Sequence, residues 1–119
     1  MAITFNTDQI DGLIGTTING VYARIQSVTV KKYDATTDPD VATHWMCLYD
    51  VVLHNSASTR NAAGEYPEWS NRLRSRAIDH MGCVYDPTSN ANPYAQAYAN
   101  LKARLAAGDS PIASSIADA

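Results

Sequence analysis

The sequence predicts an α+β fold: a small, mostly antiparallel β-sheet of three to four strands, including one long hairpin, with a C-terminal α-helix packed on one face. Three observations carry that expectation. Residues 21–33 alternate apolar and polar side chains with the period of two that marks strands, and a second strand from about 43 to 54 is apolar on both faces. Asn92-Pro93 opens a stretch in which Tyr94, Ala97, Tyr98, Leu101 and Leu105 recur at helical spacings of three and four. The chain has 119 residues, enough for one hydrophobic core but not two.

Taken in order, Ile3-Thr4-Phe5 is a short strand candidate, followed by a segment punctuated by Gly12, Gly15 and Gly20. Asn19-Gly20 signals a turn before a strand. From Val21 to Tyr33 the alternation changes phase: Val21, Ala23 and Ile25 share one parity, Val28 and Val30 the other. A one-residue slip reverses the faces of a strand, so a β-bulge is expected near Gln26-Ser27. Asp34 to Asp40 reads as a loop. In the strand from about Thr43 to His54, Trp45, Cys47, Tyr49, Val51 and Leu53 form one face, while Met46, Leu48 and Val52 make the other apolar too. Such a strand is central, or is covered by a helix on one side and a neighbouring subunit on the other.

Asn55 to Trp69 is polar and long for a hairpin loop, a length that goes with function or with ordering by a partner. Asn71 to Tyr85 carries two patterns. Trp69, Leu73, Ala77 and Met81 recur every four residues, as in a helix, with Pro67 before and Gly82 after. Arg72, Arg74 and Arg76 also alternate with Leu73, Ser75 and Ala77, as in a strand. The strand is preferred from Arg74 onward, because Gly82-Cys83-Val84-Tyr85 suits β-structure. The last element is the best marked. Asn92 is an N-cap, Pro93 takes the first helical position, Lys102 and Arg104 lie toward the C-terminal end, and Gly108 is a stop. Residues 1–108 are therefore expected as one domain. Residues 109–119 are expected as a flexible tail or, through Ile112 and Ile116, an arm that docks on a neighbour.

Composition narrows the chemistry. With 45% hydrophobic and 18% charged residues the chain is ordinary for a globular protein, and a net charge of −3 gives no global case for nucleic acid or an anionic membrane. The N-terminus lacks a basic region followed by an apolar core, and no apolar run approaches the ~20 residues that span a bilayer, so synthesis in the cytosol is expected. His44, His54 and His80 have no metal-ligand spacing, and no cofactor is expected. A hairpin centred on residue 62 sets Cys47 opposite residue 77 and Cys83 opposite residue 41. That excludes a disulfide and leaves both cysteines as small buried apolar residues.

No nucleophile elbow or phosphate loop is present, and a non-enzymatic role is expected. Asp50, Asp79 and Asp86 could pair with histidines for acid–base work, but an Asp after a Tyr at a strand end is commonly a turn former. On a strand, Arg72, Arg74 and Arg76 would project as a basic stripe ~14 Å long. Arginines and aromatics are enriched at interface hot spots, so Tyr66, Trp69, Arg72, Arg74 and Arg76, with Ile112 and Ile116, are the candidate protein-interaction residues. Nucleic acid is the weaker reading of the stripe and predicts binding with steep salt dependence.

The run Cys83-Val84-Tyr85-Asp86, followed by Asn92-Pro93-Tyr94-Ala95-Gln96-Ala97-Tyr98-Ala99-Asn100-Leu101-Lys102, resembles small proteins encoded among the structural genes of tailed bacteriophages. Those chains show a Cys-x-Tyr-Asp strand end and a Pro-x-x-Gln-Ala-Tyr-x-x-Leu-Lys helix, and their Gly-Ala-Tyr-like strand start is similar to Asn19 to Ile25 here. The likeness is loose over residues 19–105 and specific over about 83–102. Region 55–80 is longer here, the spacer Thr88-Ser89-Asn90-Ala91 lengthens the turn, and Ala106-Ala107-Gly108 replaces acidic residues after the helix. The resemblance implies a non-enzymatic virion structural protein of the tail or baseplate region, made in the host cytoplasm. Its implied partners are other virion proteins and copies of itself, with no membrane and no catalytic residues. The alternatives are a capsid decoration or head–tail joining protein and, from a different class, a free small host-directed binding module.

Overall fold

The computed structural model of the chain describes residues 2–33, 44–55, 72–107 and 113–119. The elements run β1 (Ile3–Thr7), β2 (Ile18–Tyr33), β3 (His44–His54), β4 (Arg72–Leu73), β5 (His80–Tyr85), α1 (Pro93–Ala106) and β6 (Ser114–Asp118). The strands form one sheet in the order β4-β3-β2-β1-β6, with β5 also paired to β3. Every pairing is antiparallel. The six strands fill five positions, because β4 and β5 lie end to end along the same edge of β3. The helix packs on one face, giving the expected α+β architecture. There are more strands than the three to four expected, since a short piece separates at residues 72–73 and the C-terminal segment adds another.

The β2–β3 hairpin carries the expected bulge. Ile25 pairs with Val51 and Ser27 with Asp50, leaving Gln26 as the extra residue. The extra residue lets Ile25 and Val28, of opposite parity, both turn toward the core. At this bulge the buried Ile25 N–H donates to Tyr98 Oη at 2.9 Å, so a helix side chain completes the sheet's hydrogen bonding. Asn19-Gly20, expected as a turn before the strand, lies inside β2 instead. Phe5 pairs with Val21 and Thr7 with Ile18, which sets Asn19 and Gly20 together opposite Asn6. Gly20 holds φ +67°, a conformation that glycine takes without steric cost, and donates its amide to Asn6 Oδ1 at 2.9 Å.

Residues 72–85 form neither the preferred continuous strand nor a helix. Leu53 pairs with Leu73 and Asp50 with His80, so the six residues 74–79 stand opposite only Val51 and Val52. They buckle out of the edge, yet they are anchored. The Ile78 side chain is buried in the core, Val51 N–H donates to Asp79 O at 3.0 Å, and Asp11 N–H donates to Arg74 O at 2.8 Å. This insertion of four residues slides the pairing register. The Leu53–Leu73 pairing already sets residue 79, not 77, in line with Cys47, and the insertion moves its partner on to Cys83, so the expectation that the two cysteines lie out of each other's reach is corrected. Both remain free thiols, Cys47 buried and Cys83 half-buried.

The core lies between the sheet and α1, built from Ile3, Phe5, Val21, Ala23 and Ile25 on β1 and β2, Cys47, Tyr49, Val51 and Leu53 on β3, and Ala97, Tyr98, Leu101 and Leu105 on the helix. Asn92 Oδ1 caps the helix by accepting from Ala95 N–H at 2.8 Å, and Pro93 follows it as expected. Tyr94, expected on the buried stripe, is exposed. The C-terminal segment, expected as a loose tail or an arm for a neighbour, joins the chain's own sheet. Strand β6 pairs with β1, Ile116 packs against the core, and Lys102 Nζ reaches Asp118 Oδ1 at 3.0 Å. The apolar Ile116 finds its cover within the chain. Ile112, Gly108 and the 34–40 loop lie outside the described residues.

Candidate interaction surface

On the side of the sheet away from α1, the bulge and the register set out three rows across β2, β3 and β5. They are Lys31, Met46 and Val84; Thr29, Leu48 and Gly82; and Ser27, Asp50 and His80. Parity decides which side they take, because Cys47 and Tyr49 between them point into the core. These rows border a shallow depression of about 480 Å³. Gly82 has a steric reason: a Cβ there would stand 3.1 Å from Leu48 Cδ2, so Leu48 lies across the bare backbone of β5. Val84 is 69% exposed, unusual for a valine in a paired strand, and gives the patch an apolar end. Farther along the same side of β3, Val52 and His54 are buried, so the accessible patch covers only part of this face.

The polar row is a hydrogen-bonded chain. Ser27 Oγ donates to Asp50 Oδ2 at 2.7 Å, and His80 Nδ1 stands 2.5 Å from Asp50 Oδ1. The other ring nitrogen, Nε2, lies 3.6 Å from Asp79 Oδ2. The Ser27 hydroxyl and then His80 hold the Asp50 carboxyl below its usual range, while the hydrogen bond to Asp50 and the nearby charge of Asp79 raise the imidazole above 6.5. In this order the serine donates its hydrogen bond to the aspartate, and β3 separates it from the histidine. The base on its hydroxyl is a carboxylate held below its usual range, a weak one, so the chain orients an imidazole and leaves Ser27 a poor nucleophile. Asp50 is thus a mid-strand partner of a histidine, contrary to the expected turn former. Asp86 does form the turn, accepting from Thr88 N–H at 2.9 Å and Thr88 Oγ1 at 2.6 Å. Among the described residues no three His, Cys, Asp or Glu side chains gather as a metal site.

The arginine stripe is not formed. Arg72 is in β4, whereas Arg74 and Arg76 lie in the buckle, both exposed. Arg76 N–H donates to Asp11 Oδ1 at 3.3 Å, and its side chain borders a second depression with Gln9, Asp11, Gly12, Ile14 and Ala77. Beside it Leu13 and Ile14 are 45% and 64% exposed, raised between Gly12 and Gly15 at φ +82° and +89°. Tyr66 and Trp69 lie outside the described residues, so of the candidate set only Arg74, Arg76 and Ile116 have described side chains, and Ile116 is half-buried in the sheet. The Ser27–Asp50–His80 row was not singled out from the sequence. Its signal was the bulge, because a slip at Gln26 brings Ser27 level with Asp50.

Much of the motif that joins β5 to α1 holds the fold, while Val84 and Tyr94 within it are exposed. Gln96 clasps the turn: its Oε1 accepts from Asp86 N–H at 2.9 Å, and its Nε2 donates to Asp86 O at 2.9 Å and Ala91 O at 3.0 Å. Tyr98 serves the bulge, Leu101 fills the core and Lys102 reaches β6. Comparison with protein families, with curated proteins and with solved structures finds no match for this chain. The fold and the surface define its class: a sheet-and-helix domain whose face away from the helix carries, on part of its area, an accessible patch of mixed apolar and polar residues.

Proposed function

We propose that the chain is a non-enzymatic structural component of a tailed-bacteriophage virion, in the tail or baseplate region, made in the host cytoplasm and acting through contacts with other virion proteins and copies of itself. The observation that carries this reading is the Asp86–Gln96 clasp with its capped helix. The residues that carry the resemblance to phage structural proteins are the residues that brace this junction. The uncovered rows supply a contact surface. Three strands by three rows span about 300 Å² at ordinary strand spacings, about half of the ~600 Å² that each partner of a specific pair buries at the small end of the range. A patch of that size is better suited to a ring or array, where each copy makes several contacts.

Sedimentation velocity of the purified chain and of Leu48→Lys tests the reading. Rings or multimers are expected for the parent, with smaller species for the variant and no loss of helix or sheet signal. A parent that stays monomeric at every concentration would favour the free binding module.

A further inference from the structure

We propose that Cys47 and Cys83 form a redox couple that closes into a cross-strand disulfide between β3 and β5, an inference that does not depend on where the protein acts. The two residues are direct partners in the antiparallel ladder. Such partners have Cα atoms about 4.5–5.5 Å apart, inside the ~4.4–6.8 Å range that a disulfide bridges without moving the backbone. Their side chains leave the sheet on the same side, beside the start of α1, where Cys47 Sγ lies 3.8 Å from Pro93 O.

The surroundings distinguish the two sulfurs. Cys47 has no exposed surface and its thiol is pushed up to about 11, by burial first and by Cys83 second. Cys83 is half-buried and is also raised by burial, but a hydrogen bond from Cys47 and the nearby Arg104 charge oppose the rise. Cys83 is therefore the sulfur that meets an oxidant. With a small-molecule disulfide as oxidant, the Cys83 thiolate attacks one of its sulfurs, a mixed disulfide forms, and the other half leaves as a thiolate that takes up a proton. Cys47 then gives up its proton and attacks the Cys83 sulfur. The second small thiol is released and the Cys47–Cys83 bond remains. The protein loses two protons and two electrons, and the oxidant is reduced to two thiols. Because both thiols are raised, the first step is slow at neutral pH and speeds up about tenfold per pH unit between pH 7 and 8.5.

The physical consequence is a covalent clamp on an edge. Among the described residues strand β5 pairs on one side only, and the buckle at 74–79 separates it from β4. A bond from Cys83 to Cys47 encloses residues 48–82 and fixes the shifted register, a constraint that raises the melting midpoint by about 10 °C.

The test is to incubate the reduced chain with excess glutathione disulfide under argon, quench with acid, alkylate the remaining thiols and measure intact mass and tryptic peptides. The expected product has lost two hydrogens, carries neither alkylating agent nor glutathione, yields a peptide linked through Cys47 and Cys83, and melts about 10 °C higher until a reductant is added. Cys47→Ser is expected to stop at a glutathione adduct on Cys83, and Cys83→Ser to remain unmodified. If either variant fails to fold, the parent's linked peptide decides alone. A parent that keeps both thiols, accumulates a stable glutathione adduct, or links two chains would overturn the proposal.

Discussion

The two faces of β3 are built from alternate residues of one strand and do different work. Cys47, Tyr49, Val51 and Leu53 point beneath α1 and are buried. There a hydrogen bond also ties the strand to the helix: Tyr49 Oη donates to Asn100 Oδ1 at 2.6 Å. Met46, Leu48 and Asp50 point the other way, and Leu48 and Asp50 line a depression shared with Lys31 and His80. The contrast teaches that period-two apolarity on both faces does not imply two equal cores. One face spends its apolar area on the helix, and the other keeps an accessible patch beside a polar row.

Substitutions on the two sides therefore differ in kind. The largest effect is expected from Leu101→Ala, which empties a fully buried site under the sheet and costs about 2–5 kcal/mol in urea denaturation. Leu48→Ala on the open side costs less than about 1 kcal/mol by the same measurement. Equal losses would mean that the two faces are not distinct. Next comes Tyr98→Phe, which keeps the ring and strands the buried Ile25 N–H at the bulge. It is expected to cost about 1–3 kcal/mol, with the shape of the helix contact unchanged.

The buried face also sets the alkaline limit. Burial pushes Tyr49 up to about 12 and Cys47 up to about 11, from ordinary values of 10.0 and 9.0. A group whose folded value is raised contributes stability that is complete below its unfolded value and is lost as pH rises through the folded one. Stability should thus decline between about pH 9 and pH 12, measured as denaturation midpoints across that window. Tyr49→Phe removes the upper part of the decline.

The smallest effect belongs to the exposed row. Asp50→Asn lowers the His80 titration midpoint, followed by NMR of the ring protons, because the hydrogen bond to the charged carboxylate is the main reason for its elevation. His80 is exposed, so global stability should barely change. A large loss of stability would show that the row serves the fold.

The elements that could be read in the sequence are those set by local chemistry. The bulge at Gln26 announces itself by a switch of apolar parity, and the helix start by Asn92-Pro93. The buckle at 74–79 had no such signature. Ile78 is buried by tertiary packing against the core, and the alternating arginines imitate a strand that the chain leaves at Leu73. A hairpin register two residues on from the expected one and the four-residue insertion together displace the partner of Cys47 by six residues, which is why the Cys47–Cys83 pairing was hidden. Strand β6 was hidden for another reason: Ser114 to Asp118 has a single large apolar residue, Ile116, and gains its place from the free edge of β1. Of the candidate contacts, the arginines were legible as residues but not as a surface, because their geometry depended on the strand that breaks.

Quantitative mass spectrometry of purified phage particles tests the proposed role most directly. The expected result is this chain at a fixed copy number per particle, as a component of a symmetric tail or baseplate assembly. Its absence from particles whose other structural proteins are all present would contradict that role.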